Sequence, residues 1–266
     1  MIVRKPQFDF EHALPHWSWH REFAQAFNAA STTLPHLEPY LNRVIRKARD
    51  EISPERIELL EAIDLFMRQE ANHYRQHQRY NAVLERAGYA ELASFETRLR
   101  EDYAYFLEKK SLRFNIAYAE GFESLGIIYA AFFFERIDDL LAGADVSVTR
   151  LWQWHLAEEF EHRTVCHDVY HALYGGYWPR LYGLLYALWH LGAYGARVTS
   201  YLLKRDRRSM NARERLVSRW RAAGYQWRLL KFALPRVLGV MSPRYNPRFR
   251  AEPRGAGALL ADIEAA

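Results

Sequence analysis

Apolar residues recur at steps of three and four along most of the chain, the spacing of one face of an α-helix. Residues 16–30, HWSWHREFAQAFNAA, carry this pattern and predict a short helix that ends near Ser31, Thr32 and Thr33. Pro35 opens a second helix, running to about Ile52, with Leu34, Glu38, Leu41, Ile45 and Ala48 on one stripe. Glu38 is the polar member of that stripe. Ser53, Pro54 and Glu55 supply a cap and a first-turn proline, and no Gly or Pro follows until Gly88, so a long third helix is expected. Its inward face reads Leu59, Ile63 and Phe66 and then Glu70, His73 and His77: an apolar stripe turns polar midway. A further helix fills about 92–108. Residues 111–141 predict another, with Glu120 and Glu123 near its centre. Val146 to Tyr174 predicts a last bundle helix, closed by Gly175 and Gly176, that carries His155, Glu158, Glu159, Glu161 and His162.

These elements predict an all-α protein: a four-helix bundle over 1–176 with an additional N-terminal helix, followed by an apolar helix and a basic extension over 177–266. The segment 181–203 is 23 residues long, enough to cross a bilayer, with Tyr177 and Trp178 at one end and Lys204, Arg205, Arg207 and Arg208 at the other. His190, Arg197 and several small residues weigh against a lipid-facing span, and a buried or dimer-forming helix is the favoured reading.

Composition narrows the picture. With 13 Gly and 10 Pro in 266 residues, the turn residues that a sandwich or barrel requires are scarce. The single cysteine, Cys166, excludes an intrachain disulfide and any cysteine-based metal cluster, so a metal must sit on His, Glu and Asp. The N-terminal dozen residues lack the apolar run of a signal peptide, and a cytoplasmic location is expected. The net charge of +5 is uneven. From Lys204 to Arg254 there are 15 Lys or Arg against three acids, a surplus of twelve, which leaves the remainder at −7. Such a block attracts any polyanion, so contact with an anionic membrane through 177–254 is one expectation. Nucleic acid is not expected, because no reading module accompanies the charge.

Two Glu-x-x-His elements, Glu70/His73 and Glu159/His162, carry the chemistry. Three residues apart on a helix, each pair presents an oxygen and an imidazole nitrogen to one point. Roughly one such element is expected by chance in a chain of this composition, so the surroundings decide. A dimetal carboxylate bundle takes one Glu from each of two helices and a Glu-x-x-His from each of the other two. From N to C this chain offers Glu38, Glu70/His73, Glu120 or Glu123, and Glu159/His162, in the order single, pair, single, pair. Each acid also interrupts an apolar stripe, where an unpaired carboxylate costs several kcal/mol or more unless a cation offsets it. His77 lies one turn beyond His73 and His155 one turn before Glu159, each placed as a seventh ligand, an acid/base group or, the favoured role, an orienter of ligands. Asp168 is placed to hold a ligating His, Cys166 to fill space, and Glu158 and Glu161 to sit at the surface.

The stretches Leu34-Pro35 with Glu38, QEANHYRQH (69–77), AEGFES (119–124) and WHLAEEFEHRTVCHDVY (154–170) resemble the bacterial family of predicted metal-dependent hydrolases. That resemblance implies a ferritin-like di-iron bundle, with ligation by Glu38, Glu70, His73, Glu123, Glu159 and His162. It selects Glu123 over Glu120. Leu37, Ser124 and Cys166-His167 depart from the pattern it leads one to expect. The cofactor expected is two metal ions, iron first, with manganese and zinc as alternatives. The reaction expected first is an O2-dependent oxidation of a small apolar or lipid-like substrate, which needs an electron donor, and the alternative is a metal-dependent hydrolysis. A non-catalytic metal carrier or membrane-associated protein is the third class. A homodimer and a peripheral position at the inner face of the membrane complete the expectations.

Overall fold

The computed structural model describes residues 1–265, and no strand occurs among them. The helices are α1 (Arg21–Ser31), α2 (Leu34–Arg49), α3 (Ile57–Arg86), α4 (Leu92–Lys109), α5 (Leu112–Arg136), α6 (Asp138–Leu141), α7 (Val146–Glu161), α8 (Val165–Leu173), α9 (Tyr177–Asp206), α10 (Ala212–Val240) and α11 (Ala256–Ala265). The four that carry the acids of interest touch in a ring: α2 against α3, α3 against α7, α7 against α5, and α5 back against α2. This is the contact pattern of a four-helix bundle.

Several boundaries differ from those the periodicity predicts. Residues 16–20 are not helical. His20 is the N-cap of α1, its Nδ1 accepting from the Phe23 amide, and the Ser18 hydroxyl is drawn off to the Leu140 carbonyl. Ser53 does not cap α3: its carbonyl accepts from the Arg56 amide, so 53–56 is a turn with Pro54 at its second position, and the helix starts at Ile57. The helix expected over 111–141 breaks at Ile137, whose carbonyl accepts from Leu140 and Leu141; Asp138 and Asp139 then start α6, where acids suit a helix N-terminus. The helix expected over 146–174 breaks at 162–164. There the Arg163 guanidinium takes the Phe160 carbonyl, which a continuing helix would give to the Thr164 amide.

The segment 181–203 falls inside α9, which packs along α5 and α1 rather than standing apart. Two glycines permit the close approach: a Cβ on Gly183 would overlap the Ala117 carbonyl, and one on Gly121 would lie 2.7 Å from Leu184 Cα. By length and hydropathy α5 could cross a membrane, but 72% of its apolar window is buried, as in a core helix. Aromatic residues from α10 and the C-terminal segment, including Tyr225, Phe232 and Tyr245, join the core that Phe23, Phe27, Phe132 and Trp152 build. The N-terminal segment lies along α3. Gln69, Asn72, Gln76, Arg79 and Arg86 donate in turn to the carbonyls of Ile2, Arg4, Pro6, Phe8 and Phe10.

Candidate metal centre

The inner faces of α2, α3, α5 and α7 converge on one buried cluster. Glu38, Glu70, His73 and His162 are fully buried, and Glu159, Glu123 and His155 are within 2% of it. Donor atoms fall into two groups, each within 4.8 Å: Glu38, His73, His155 and Glu159 in one, Glu70, Glu159 and His162 in the other. Glu159 belongs to both. Glu123 joins the second group through its Oε2, 3.3 Å from His162 Nε2.

The hydrogen bonds orient the imidazoles with one nitrogen toward this centre. His73 Nε2 donates to Glu158 at 2.9 Å, which leaves Nδ1 facing Glu70 and Glu159 at 3.7 Å each. His162 Nδ1 donates to the Gln69 side-chain oxygen at 3.1 Å, which leaves Nε2 facing Glu70 at 3.3 Å and Glu159 at 3.5 Å. His155 Nε2 lies 3.5 Å from Glu159 and its Nδ1 3.9 Å from Glu38. These separations lack the length or alignment of hydrogen bonds, and both oxygens of Glu38, Glu70, Glu123 and Glu159 have no protein partner. Donors held 2.0–2.2 Å from one ion lie about 3 to 3.5 Å from each other, so the spacing suits cation ligands. A buried carboxylate without partner or cation is strongly disfavoured, which makes the cluster a fit for metal.

Electrostatics point the same way. Burial, and then the neighbouring carboxylates, raise the Glu38 carboxyl well above its ordinary value and push Glu123 up to about 8. Burial opposes charge on His73, yet the hydrogen bond to Glu158 and the nearby charge of Glu70 raise it to about 9, and the charges of Glu123 and Glu159 raise His162 well above its ordinary value against its burial. Without cations, then, the cluster holds protons on carboxylates and imidazoles that metal displaces. Burial, and then the charge on His73, pull His155 down to about 3, so its imidazole is neutral and available as a donor.

The other expected residues sort clearly. His77 sits beside the cluster, its ring 4.8 Å from that of His155, with Nδ1 2.9 Å from the Ser31 hydroxyl and Nε2 without a partner. Glu120 is buried but turned away, its Oε1 bound by His167 at 3.1 Å and Arg180 at 3.4 Å. Asp168 does not hold a ligating His: the break at 162–164 reorients it, and it pairs with Arg248 at 2.9 Å. Glu158 is not a surface acid. It is fully buried, and Arg4, from the N-terminal segment, pairs with it at 3.2 Å and with Glu161 at 3.1 Å. Gln69 donates to Glu161 at 2.6 Å and so fixes the amide that orients His162. Gly126 on α5 leaves the space Glu159 fills, since a Cβ there would lie 2.7 Å from Glu159 Oε2. Arg4, Gln69 and Gly126 carry no periodic signal, and Gln69, next to Glu70, is the one that local sequence hints at.

An all-α chain that turns four partnerless carboxylates inward, with one ring nitrogen of each of three imidazoles facing them, is a metal-binding protein. A family model, predicted metal-dependent hydrolase, matches residues 2–250, and the chain belongs to that family. No curated protein and no solved structure matches it.

Proposed function

We propose that the chain is a dimetal hydrolase of ferritin-like build, with Glu38, His73 and His155 on one cation, Glu70, Glu123 and His162 on the other, and Glu159 shared. The observation that carries this reading is the membership of Glu159 in both donor groups. Four partnerless carboxylates match the charge of two divalent ions, while Glu158 is matched separately by Arg4. When bound, such a pair supplies Lewis acidity, polarising a scissile carbonyl or phosphoryl oxygen and lowering the pKa of water.

The protein's own residues do the rest. Ser31 donates its hydroxyl proton to Asn81 at 2.6 Å, so it accepts from His77 Nδ1, which leaves a lone pair on His77 Nε2. Burial, then His155, keeps His77 well below its ordinary pKa, so Nε2 is a proton acceptor at neutral pH. Phe66 packs its ring 4.8 Å from His162 and Trp154 4.8 Å from His73, walls that exclude water and favour an apolar substrate.

The same donors suit two irons, and an O2-dependent oxidoreductase that draws on an electron donor is the second reading. The mixed carboxylate and imidazole set favours it. Anaerobic screening of the metal-loaded chain against apolar esters and phosphoesters separates the two. Turnover without O2 that a chelator abolishes and zinc or manganese restores supports hydrolysis. O2 consumption by a two-iron form with oxo-bridge absorption, and no anaerobic turnover, replaces it with oxidation.

A further inference from the structure

α10 is amphipathic in the wrong direction for a helix whose outer face meets water. Its inner face is short of contacts but clear: Ser218, Tyr225, Phe232 and Val240 are buried, with Tyr225 5.7 Å from Phe23 and Phe232 5.5 Å from Phe132. On the opposite side Leu216, Trp220, Trp227, Leu230, Leu234 and Leu238 recur at steps of three, four and seven and are all about half or more exposed, Trp220 at 72%. A helix rises 1.5 Å per residue, so this stripe is about 33 Å long. Arg213 and Lys231 flank it on one side and Arg219 on the other, and all three are exposed.

We propose that this outward stripe of α10 is a docking face for an anionic lipid bilayer, with the helix lying in the plane of the interface. An apolar face with Trp and Leu, bordered by Arg and Lys, enters the headgroup boundary while the flanking cations meet acidic headgroups. Charge selects this occupant over a second copy of the chain. α10 carries seven Lys or Arg and one acid, Glu214, so stacking the face on its own copy sets like charges together. Charge also selects it over a neutral apolar partner, because the block from Lys204 to Arg254 holds a surplus of twelve positive charges. Arg228 pairs with Asp139 at 2.7 Å and anchors the helix to the body, so docking engages a preformed face. The inference is independent of the metal centre.

The test is co-sedimentation of the full chain with phosphatidylglycerol-containing vesicles, with pure phosphatidylcholine vesicles as the control. Binding to the anionic vesicles alone, declining with salt, is expected. The double variant Trp220→Ala/Trp227→Ala should lower the partition by more than about tenfold. Arg213→Gln/Arg219→Gln/Lys231→Gln should remove the preference for anionic lipid. Both sets lie on exposed positions, and unchanged circular dichroism and melting temperature verify the fold. Absence of binding at low salt overturns the proposal. So does anionic binding that survives the tryptophan replacements, or a dimer in light scattering that those replacements dissolve while vesicle binding is absent.

Discussion

Two buried polar clusters in this protein differ in how their atoms are satisfied. Around Asp206, the carboxylate accepts from Tyr89 at 2.6 Å, from Gln25 at 2.8 Å and from His16 at 2.8 Å, and Gln25 in turn bonds Asn28. Burial pushes that carboxyl up, but the three hydrogen bonds outweigh it and hold it below its ordinary value. Around Glu159, burial is as complete, yet both oxygens of four glutamates lack a protein partner. A satisfied network ties α1, α9 and the loop before α4 together. The other cluster is an arrangement of ligands whose stability depends on cations. Burial of acids is therefore not the signature of a metal site; burial without partners is.

The largest effect that sharpens this contrast is on Glu159. Glu159→Ala should abolish metal retention and remove the metal-dependent part of stability, about 4 kcal/mol where free metal is a thousand times its Kd. In chelated protein the same change should cost less than in the loaded protein but not nothing, because it removes the carboxylate that protonated His162 and His73 face. Denaturant melts with and without metal read both numbers. Asp206→Ala should behave in the opposite way, losing about 3 kcal/mol whether or not metal is present, since it leaves three donors unpaired. A metal-dependent loss at Asp206 would mean that the two clusters are not satisfied in different ways.

The two clusters also respond oppositely to pH. The depressed Asp206 carboxyl contributes stability that is present above the unfolded value of 3.8 and is lost as pH falls through its lower folded value. In chelated protein, Glu123 and His73 have raised values, so their contributions are full below 4.5 and 6.5 and are lost as pH rises through about 8 and about 9. Chelated protein should melt at progressively lower temperature from pH 7 to 9, and metal-loaded protein should not. The smallest effect is at Gly126. Gly126→Ala places a methyl against Glu159 Oε2, so metal affinity should fall about tenfold. Helix propensity should offset part of the strain, keeping the chelated protein within about 1 kcal/mol of wild type. Metal titration against both forms checks it.

Local periodicity carries most of the helical architecture here, because each of these helices buries one stripe. Glu38, Glu70, His73, Glu159 and His162 are visible for the same reason: each breaks a stripe that should be apolar. What periodicity misses is set by contacts distant in sequence. Glu158 looks like an outer acid until Arg4, 154 residues away, reaches it. His155 reads from sequence as a ligand, an acid/base group or an orienter, and only its placement on α7 turns it toward Glu38 and Glu159. Asp168 is two turns past Glu161 only if one helix continues, and Arg163 ends that helix by taking the Phe160 carbonyl. Gly126 is silent in the sequence because its role is an absence of volume.

Elemental analysis of the full chain, stripped with chelator, reloaded and desalted beside Glu159→Ala, counts the ions that the buried cluster holds. About two ions per wild-type chain, and close to none in the variant, are predicted from a shared carboxylate between two donor groups. Wild type that retains no more metal than the variant would contradict it.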